Sequence, residues 1–495
     1  MKNIIIKDPE LIFASHIQGI CSKTLLLFAV LLLSLYSFVL CLLGGNLPES
    51  YSNLYVLPGV FLIVTVFWAY FFLKGNFYFD LPVLIILTTF FIRNVITPIV
   101  MANGNALTMF GYPSKDNADF GIFLMAYETI SVFLTIFIYV LKPFKIKRSY
   151  RKIRINSVRH KGNILFYFIF AGALIVSILT FLMLPELRTQ YYSIFTSGIS
   201  GIAETKIVYT SGLHRIFYSA GELVIEATRL ILCSFLFYKI RLRGETFKNF
   251  VFCLLIVVAN LFFMTDSNAY VLILMIALFI VTFRLFPKYK KTGAQIVIFL
   301  CLVFLCLMWI NRFSQDHYGT SISTFLNAYF PGVANCAGIM KLMPRNIFDS
   351  VGQLFADIYA AVPFRSTLFG YSGGLVDIST RWNNANGITG QILPMAAQSY
   401  YYFGLFLSPL LSCLITAVSL KSFDAANRTQ NPLKYAVLIF ITIYSAVAVC
   451  MYNGFIFANG FTNRILFMII IAWVSEYSFP NIDNNYKDGQ IDPLR

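Results

Sequence analysis

Long apolar runs separated by short polar links set the pattern of this chain. A helix needs about twenty apolar residues to cross a bilayer. About twelve such runs can be marked, near 25–43, 55–73, 81–100, 120–141, 164–184, 216–238, 250–264, 270–285, 294–310, 401–420, 435–452 and 464–477. The seventh and eighth are short and share the tight link Thr265–Asn268, which suits tilted spans or a pair that stops short of the far surface. The pattern breaks between Asn311 and Tyr400, a stretch of roughly ninety residues, far longer than a usual connection. A long loop on a rigid helical scaffold is a common place for function. The expected fold is an all-α polytopic bundle with spans one to nine in 1–310, a large outer loop in 311–400, spans ten to twelve in 401–480 and a polar tail in 481–495. No internal repeat or inverted symmetry is visible.

Composition agrees with that class. Hydrophobic residues make up 58% of the chain and charged residues 12%. A soluble domain carries about a quarter charged residues, so an integral membrane protein is expected. The formal net charge of +16 lies mainly in short links between spans, which speaks for membrane orientation and against a nucleic-acid partner. Lys142–Lys161 holds only basic charges, which keeps that link cytoplasmic and runs the fourth span from outside to inside. The basic clusters 239–248, 284–291 and 421–434 then fall inside, as do both termini. The segments 101–119, 185–215 and 311–400 fall outside. Lys2, Lys7, Asp8, Glu10 and Lys23 precede a full-length span with no small-residue cleavage site, so an uncleaved first helix is expected. The nine cysteines lie mostly within spans, lack a CxxC spacing and read as small core hydrophobes.

Charges inside spans are costly unless paired or wetted, at least about 2.5–3.5 kcal/mol each. Arg93 in span three and Glu128 in span four sit at similar depths. They form either a structural ion pair or a polar cavity in which Arg93 binds an anion. Pro98 breaks the helix pattern just beyond Arg93. In span six Glu222, Glu226 and Arg229 share one helical face by their spacings of four and three, with Glu226–Arg229 able to pair. The outer segments carry Arg312, Arg345, Arg365 and Arg381, and Arg464 opens span twelve. Guanidinium suits bidentate recognition of phosphate. Asp316-His317 is the one carboxylate–imidazole neighbourhood in the outer segments. No metal-ligand spacing, Asp-x-Asp in an outer segment, Walker motif or dinucleotide glycine loop is present, so neither metal nor cofactor is expected.

Several segments resemble the oligosaccharide repeat-unit polymerases of bacterial surface polysaccharides, the O-antigen and enterobacterial common antigen polymerases. They are Phe90–Pro98 in span three, Arg188–Phe195 in the middle outer loop, the short helix pair around Thr265–Asn268, and above all Asp357–Arg365, Gly390–Pro394 and Tyr400–Gly404 in the late loop. The family often ends the turn near Asn268 with Arg; this chain has Asn-Ala-Tyr there. The resemblance implies a GT-C-like scaffold shared with O-antigen ligases. It implies transfer of a polyprenyl-pyrophosphate-linked glycan to a sugar hydroxyl of a lipid-linked repeat unit, on the outer face of the bacterial inner membrane.

Such a reaction needs cations preorganised around the leaving pyrophosphate. Arg93, Arg312, Arg365 and Arg381 are the candidates. Asp316, His317 and Glu222 are the candidate bases, and Trp382, Asn383, Asn384 and Tyr400 are candidate sugar contacts. The implied partners are lipid-linked glycans and membrane lipids, with a chain-length regulator and a flippase as associated proteins. A lipid-linked oligosaccharide flippase and an O-antigen ligase are the alternative readings.

Overall fold

The computed structural model describes residues 27–73, 80–104, 111–141, 164–185, 212–260, 268–296, 326–327, 329–343, 346–362, 376–388, 391–429 and 431–476. Among these residues 85% are helical and no strand occurs, so the fold is all-α. In chain order the helices are α1 (Leu27–Leu42), α2 (Val56–Leu73), α3 (Leu81–Ala102), α4 (Lys115–Leu141), α5 (Ile164–Met183), α6 (Gly212–Leu242), α7 (Phe247–Ala259) and α8 (Asn268–Leu285). Four short helices follow: α9 (Val333–Ala337), α10 (Ile347–Ala360), α11 (Ile378–Asn386) and α12 (Met395–Phe403). The chain returns to long helices with α13 (Leu410–Arg428), α14 (Pro432–Met451) and α15 (Gly454–Ser475).

Among the described residues six helical stretches are long and apolar enough to cross a membrane, or seven if the bent pair Tyr270–Leu285 and Pro287–Ile296 is one span. Part of the shortfall against about twelve runs has local causes among the described residues, and the description starts only at Leu27 of the first run. Helix α7 has 13 residues, about 20 Å of helix at ~1.5 Å per residue, less than the ~30 Å hydrocarbon thickness. Helix α6 is long but carries Glu226, Arg229, Lys239 and Arg241. The expected run 401–420 is two elements: α12 ends at Gly404, whose φ of 79° few other residues adopt, and α13 starts at Leu410. The run 464–477 is instead the second half of a helix that begins at Gly454, so Arg464 lies inside α15 rather than at its start. Most of the run 294–310 lies outside the described residues.

Helix α14 is the axis of the bundle. Of its apolar window 83% is buried, against 17% for α5 at the periphery. It packs against α3, α6, α8, α13 and α15. Two side-chain bonds fix its register: Ser419 Oγ donates to the Thr442 carbonyl at 2.7 Å, and Asn431 Nδ2 to Ser475 Oγ at 2.8 Å. Asn431 also caps α14 by accepting from the Leu433 and Lys434 amides.

The two ends of the bundle differ. At one end Arg284 donates to the carbonyls of Ala426 and Thr429 at 3.0 and 2.7 Å, Arg241 Nε to the Leu285 carbonyl at 2.6 Å, and the Tyr139 hydroxyl to the Leu420 carbonyl at 3.1 Å. The basic links after α6, α8 and α13 therefore share this end. At the other end α9 to α12 fold into a cap on α4, α13 and the start of α15. Gly121 of α4 makes the seat for α9: a Cβ there would stand 2.8 Å from the Val333 carbonyl oxygen, so only glycine permits this approach.

Helix α3 does not break at Pro98. A π turn over Ile92–Ile96 absorbs the missing amide of Pro98 and the helix continues to Ala102. The Thr97 hydroxyl helps by donating to the Ile92 carbonyl at 3.0 Å.

Candidate functional site

The cap has its own apolar centre and, beside it, a continuous polar chain. Trp382, Ile378, Leu393, Ala397 and Tyr401 pack with Val333, Cys336 and Ile339 onto Ile122, Met125 and Ala126 of α4. This anchors α9, α11 and α12. Helix α11 starts at Asp377, whose carboxylate accepts from the Thr380 amide at 3.0 Å, and ends at Gly387 in the left-handed conformation with φ 67°.

The polar chain starts at the surface of α11 and runs inward. Arg381 is exposed and its Nη1 donates to Gln353 Oε1 of α10 at 3.1 Å. Gln353 Nε2 donates to Asp357 Oδ1 at 3.1 Å and to the Val376 carbonyl at 2.8 Å. Asp357 also accepts from the Ile378 amide at 2.9 Å and, on its other oxygen, from the Tyr402 hydroxyl. Gln398 Nε2 donates to the Tyr402 oxygen at 2.7 Å, and the Gln398 carbonyl accepts from the Gly454 amide at the head of α15. One exposed guanidinium is thus tied through three cap helices to the bundle.

Burial governs the electrostatics of this chain. Asp357 is 4% exposed, and burial pushes its carboxyl above the ordinary value despite the lowering effect of its bonds from Tyr402, Ile378 and Gln353. Burial also raises the Tyr402 hydroxyl, and the facing Asp357 carboxylate adds to that. Tyr402 therefore stays a donor. Gln353 orients Arg381 by accepting from its Nη1, and Asp357 in turn holds Gln353 by accepting from its Nε2.

A second polar cluster lies inside the bundle. Arg229 Nη1 pairs with the buried Glu226 carboxylate at 3.3 Å, and Arg229 Nη2 donates to the Asn260 carbonyl at the end of α7 at 3.2 Å. The Arg464 guanidinium lies 4.5 Å from the centre of the Tyr270 ring. These groups come from α6, α7, α8 and the π turn Phe461–Ile465 of α15. They gather where the short α7 ends.

The residues expected from sequence divide sharply. Arg93 does not face an open polar cavity. It is 1% exposed, its Nη2 lies 2.6 Å from Glu128 Oε2, and it stacks 4.6 Å from the Phe90 ring. Ser412 donates to the other Glu128 oxygen. The anion Arg93 meets is Glu128, because that depth offers no water to either charge. Trp382 is fully buried in the cap core and offers no face to a sugar. Asn383 spends its amide on the carbonyls of Ser379 and Gln391 at 2.9 and 3.1 Å. Asn384 is exposed on α11 beside Arg381. Tyr400 is half-buried and meets Phe120 edge-on at 4.9 Å. Arg312, Asp316, His317 and Arg365 lie outside the described residues. Glu222 falls on α6 one turn before Glu226, and its side chain is outside the description. Among the described residues no group of three His, Cys, Asp or Glu could hold a metal ion.

Sequence reasoning gave no role to Gln353 and Gln398, and Asp357 entered it as the first residue of a segment that resembles the family. The available signal was spacing: Gln353–Asp357 and Gln398–Tyr402 are both i, i+4 pairs on the polar side of short helices. Comparison with known proteins returns no matching family model, no similar curated protein and no similar solved structure.

Proposed function

We propose that this chain is a membrane glycosyltransferase that polymerises polyprenyl-pyrophosphate-linked repeat units into a surface polysaccharide. On this reading the scaffold is a GT-C-like bundle of about twelve spans in the bacterial inner membrane, with both termini in the cytoplasm and the cap outside. The acceptor sugar hydroxyl attacks the anomeric carbon of the donor glycan. The bond from that carbon to the pyrophosphate oxygen breaks, and polyprenyl pyrophosphate leaves with the electron pair. The hydroxyl proton passes to a base, for which Asp316, His317 and Glu222 are the proposed groups. A chain-length regulator and a flippase are the proposed associated proteins.

The observation that carries the proposal is the exposed Arg381 guanidinium held by Gln353, which is itself fixed by Asp357. A leaving pyrophosphate gains charge as the bond breaks, and a cation fixed before the reaction stabilises that charge without reorganising. A planar fork suits two phosphate oxygens better than an ammonium does. Arg312 and Arg365 are proposed to share this role, and Asn384 is the best-placed sugar contact on the exposed side of α11.

The test is genetic and biochemical. Deleting the gene is expected to leave surface glycan capped with a single repeat unit. Arg381→Ala in the complementing copy should abolish polymer at unchanged protein level, and Arg381→Lys should restore only part of it. Loss of even the single-unit form on deletion would favour the flippase reading, and normal polymer from Arg381→Ala would remove Arg381 from the site.

A further inference from the structure

Helix α10 is amphipathic in the reverse of the usual sense. Ser350, Gln353 and Asp357 face the protein and are buried, together with Ala356 and Ala360. Ile347, Phe348, Val351, Phe355 and Ile358 face outward; Phe348 is 82% exposed and Phe355 65%. These five fall within one stripe of the helix at 3.6 residues per turn. The exposed charge of the helix, Asp349, sits in its first turn. A soluble cap would present the opposite arrangement, since an apolar stripe of this kind is unfavourable in water.

The depth of α10 is fixed by its end. Thr462 Oγ1 of α15 donates to the carbonyl of Ala361, immediately after α10. Thr462 lies two turns into the helix that starts at Gly454, about 12 Å along its axis at ~1.5 Å per residue. Helix α15 is 22 residues long, about 33 Å, close to the ~30 Å hydrocarbon thickness. The C-terminal end of α10 therefore stands well below the membrane-surface end of a full span. A 14-residue helix is too short to cross, and an end about 12 Å below the head of α15 is shallower than the ~15 Å of one leaflet. Its polar side is satisfied internally through Asp357, Gln353 and the cap, which is what a helix in hydrocarbon requires.

We propose that α10 is embedded in the leaflet on the cap side, with Ile347, Phe348, Val351, Phe355 and Ile358 against the acyl chains of the membrane phospholipids. The inference does not depend on the reaction proposed above. It makes part of the long segment between the spans a membrane element rather than an aqueous loop, and it places Arg381, bonded to Gln353 of the same helix, beside the membrane surface.

The test uses the full chain in phospholipid nanodiscs. Phe355→Cys and Ile358→Cys are labelled separately with a polarity-sensitive fluorophore, wild type serves as the blank for native cysteines, and Ala385→Cys on α11 is the aqueous reference. Labels on α10 should emit at shorter wavelength than the reference. They should be quenched by lipids brominated along the chain and hardly by iodide, with the reverse order at position 385. Iodide quenching equal to the reference would put the stripe in water and overturn the proposal. Protection from both quenchers would overturn it too, because a second copy or another part of the chain would then cover the stripe. If labelled Phe355→Cys does not stay monodisperse, Val351→Cys on the same stripe replaces it.

Discussion

Arg93 and Glu128 are locked together at 2.6 Å between α3 and α4, with 1% and 0% of the two side chains exposed. Each charge depends on the other, because removing one partner leaves the other stranded away from water. Arg93→Ala is expected to lower stability by about 3–5 kcal/mol, whereas the double variant Arg93→Met/Glu128→Leu should recover most of that loss. Thermal unfolding in detergent reads both. Polymer formation then separates structure from chemistry. A stable double variant that still makes polymer confines Arg93 to the ion pair, and a stable double variant without polymer returns it to the pyrophosphate site.

Gln353 is the positioning residue for Arg381. It accepts from the guanidinium and donates to Asp357, so its carboxamide cannot be replaced by a carboxylate without setting two negative charges side by side. Gln353→Leu removes a bond to a charged group, an effect of about 1.5–3 kcal/mol. With lipid-linked donor in detergent, KM should rise by roughly tenfold or more if the bond acts mainly on binding. Gln353→Glu should be no better than Gln353→Leu. An unchanged KM in both variants at normal protein level would show that Arg381 needs no such support.

The membrane class of the chain was legible because hydropathy over about twenty residues is a property of a segment by itself. The shared end of the basic links was legible for a related reason: alternation of spans fixes which links lie together. The Arg93–Glu128 pair could be read from depth on consecutive helices. The cap could not be read this way. The pattern of α10 shows an apolar stripe and a polar stripe, and nothing in it says which one faces the protein. The bond between Gln353 and Arg381 joins residues on different helices, and its geometry exists only after α11 docks through Trp382. The break between α12 and α13 was hidden because Leu405, Phe406 and Leu407 keep the segment apolar through the turn.

The Asp357 carboxyl makes cap stability depend on pH. Its folded pKa is raised above the ordinary 3.8, with burial as the main cause. The folded state then binds the proton more tightly than the unfolded chain does. Its contribution is fully present below the ordinary value and is lost as pH rises through the raised folded value. Asp357→Asn cannot titrate, so the difference in Tm between wild type and Asp357→Asn isolates this group. That difference should move against wild type as pH increases from about 4 toward neutrality. A difference moving the other way would mean that the bonds from Tyr402, Ile378 and Gln353 outweigh burial.

Sidedness is the condition on which the proposed chemistry stands. The cap and the basic links occupy opposite ends of the bundle, since Gly454 at the head of α15 bonds to Gln398 of the cap while Arg284 bonds to Ala426 and Thr429 at the far end. Basic links are retained in the cytoplasm, so on the proposed reading the cap is expected outside. Ala385 is exposed on α11 and Lys421 is exposed near the other end of α13. In intact spheroplasts a membrane-impermeant maleimide should label Ala385→Cys, and Lys421→Cys should react only after permeabilisation. Wild type controls for native thiols; among the described cysteines all but Cys413 are buried. Because the two sites lie at opposite ends, the pair must respond in opposite ways whichever orientation holds, which guards against leaky membranes. Labelling of Lys421→Cys alone in intact spheroplasts would place the cap in the cytoplasm. Exported lipid-linked glycan could not then reach Arg381, and the polymerase reading would fall.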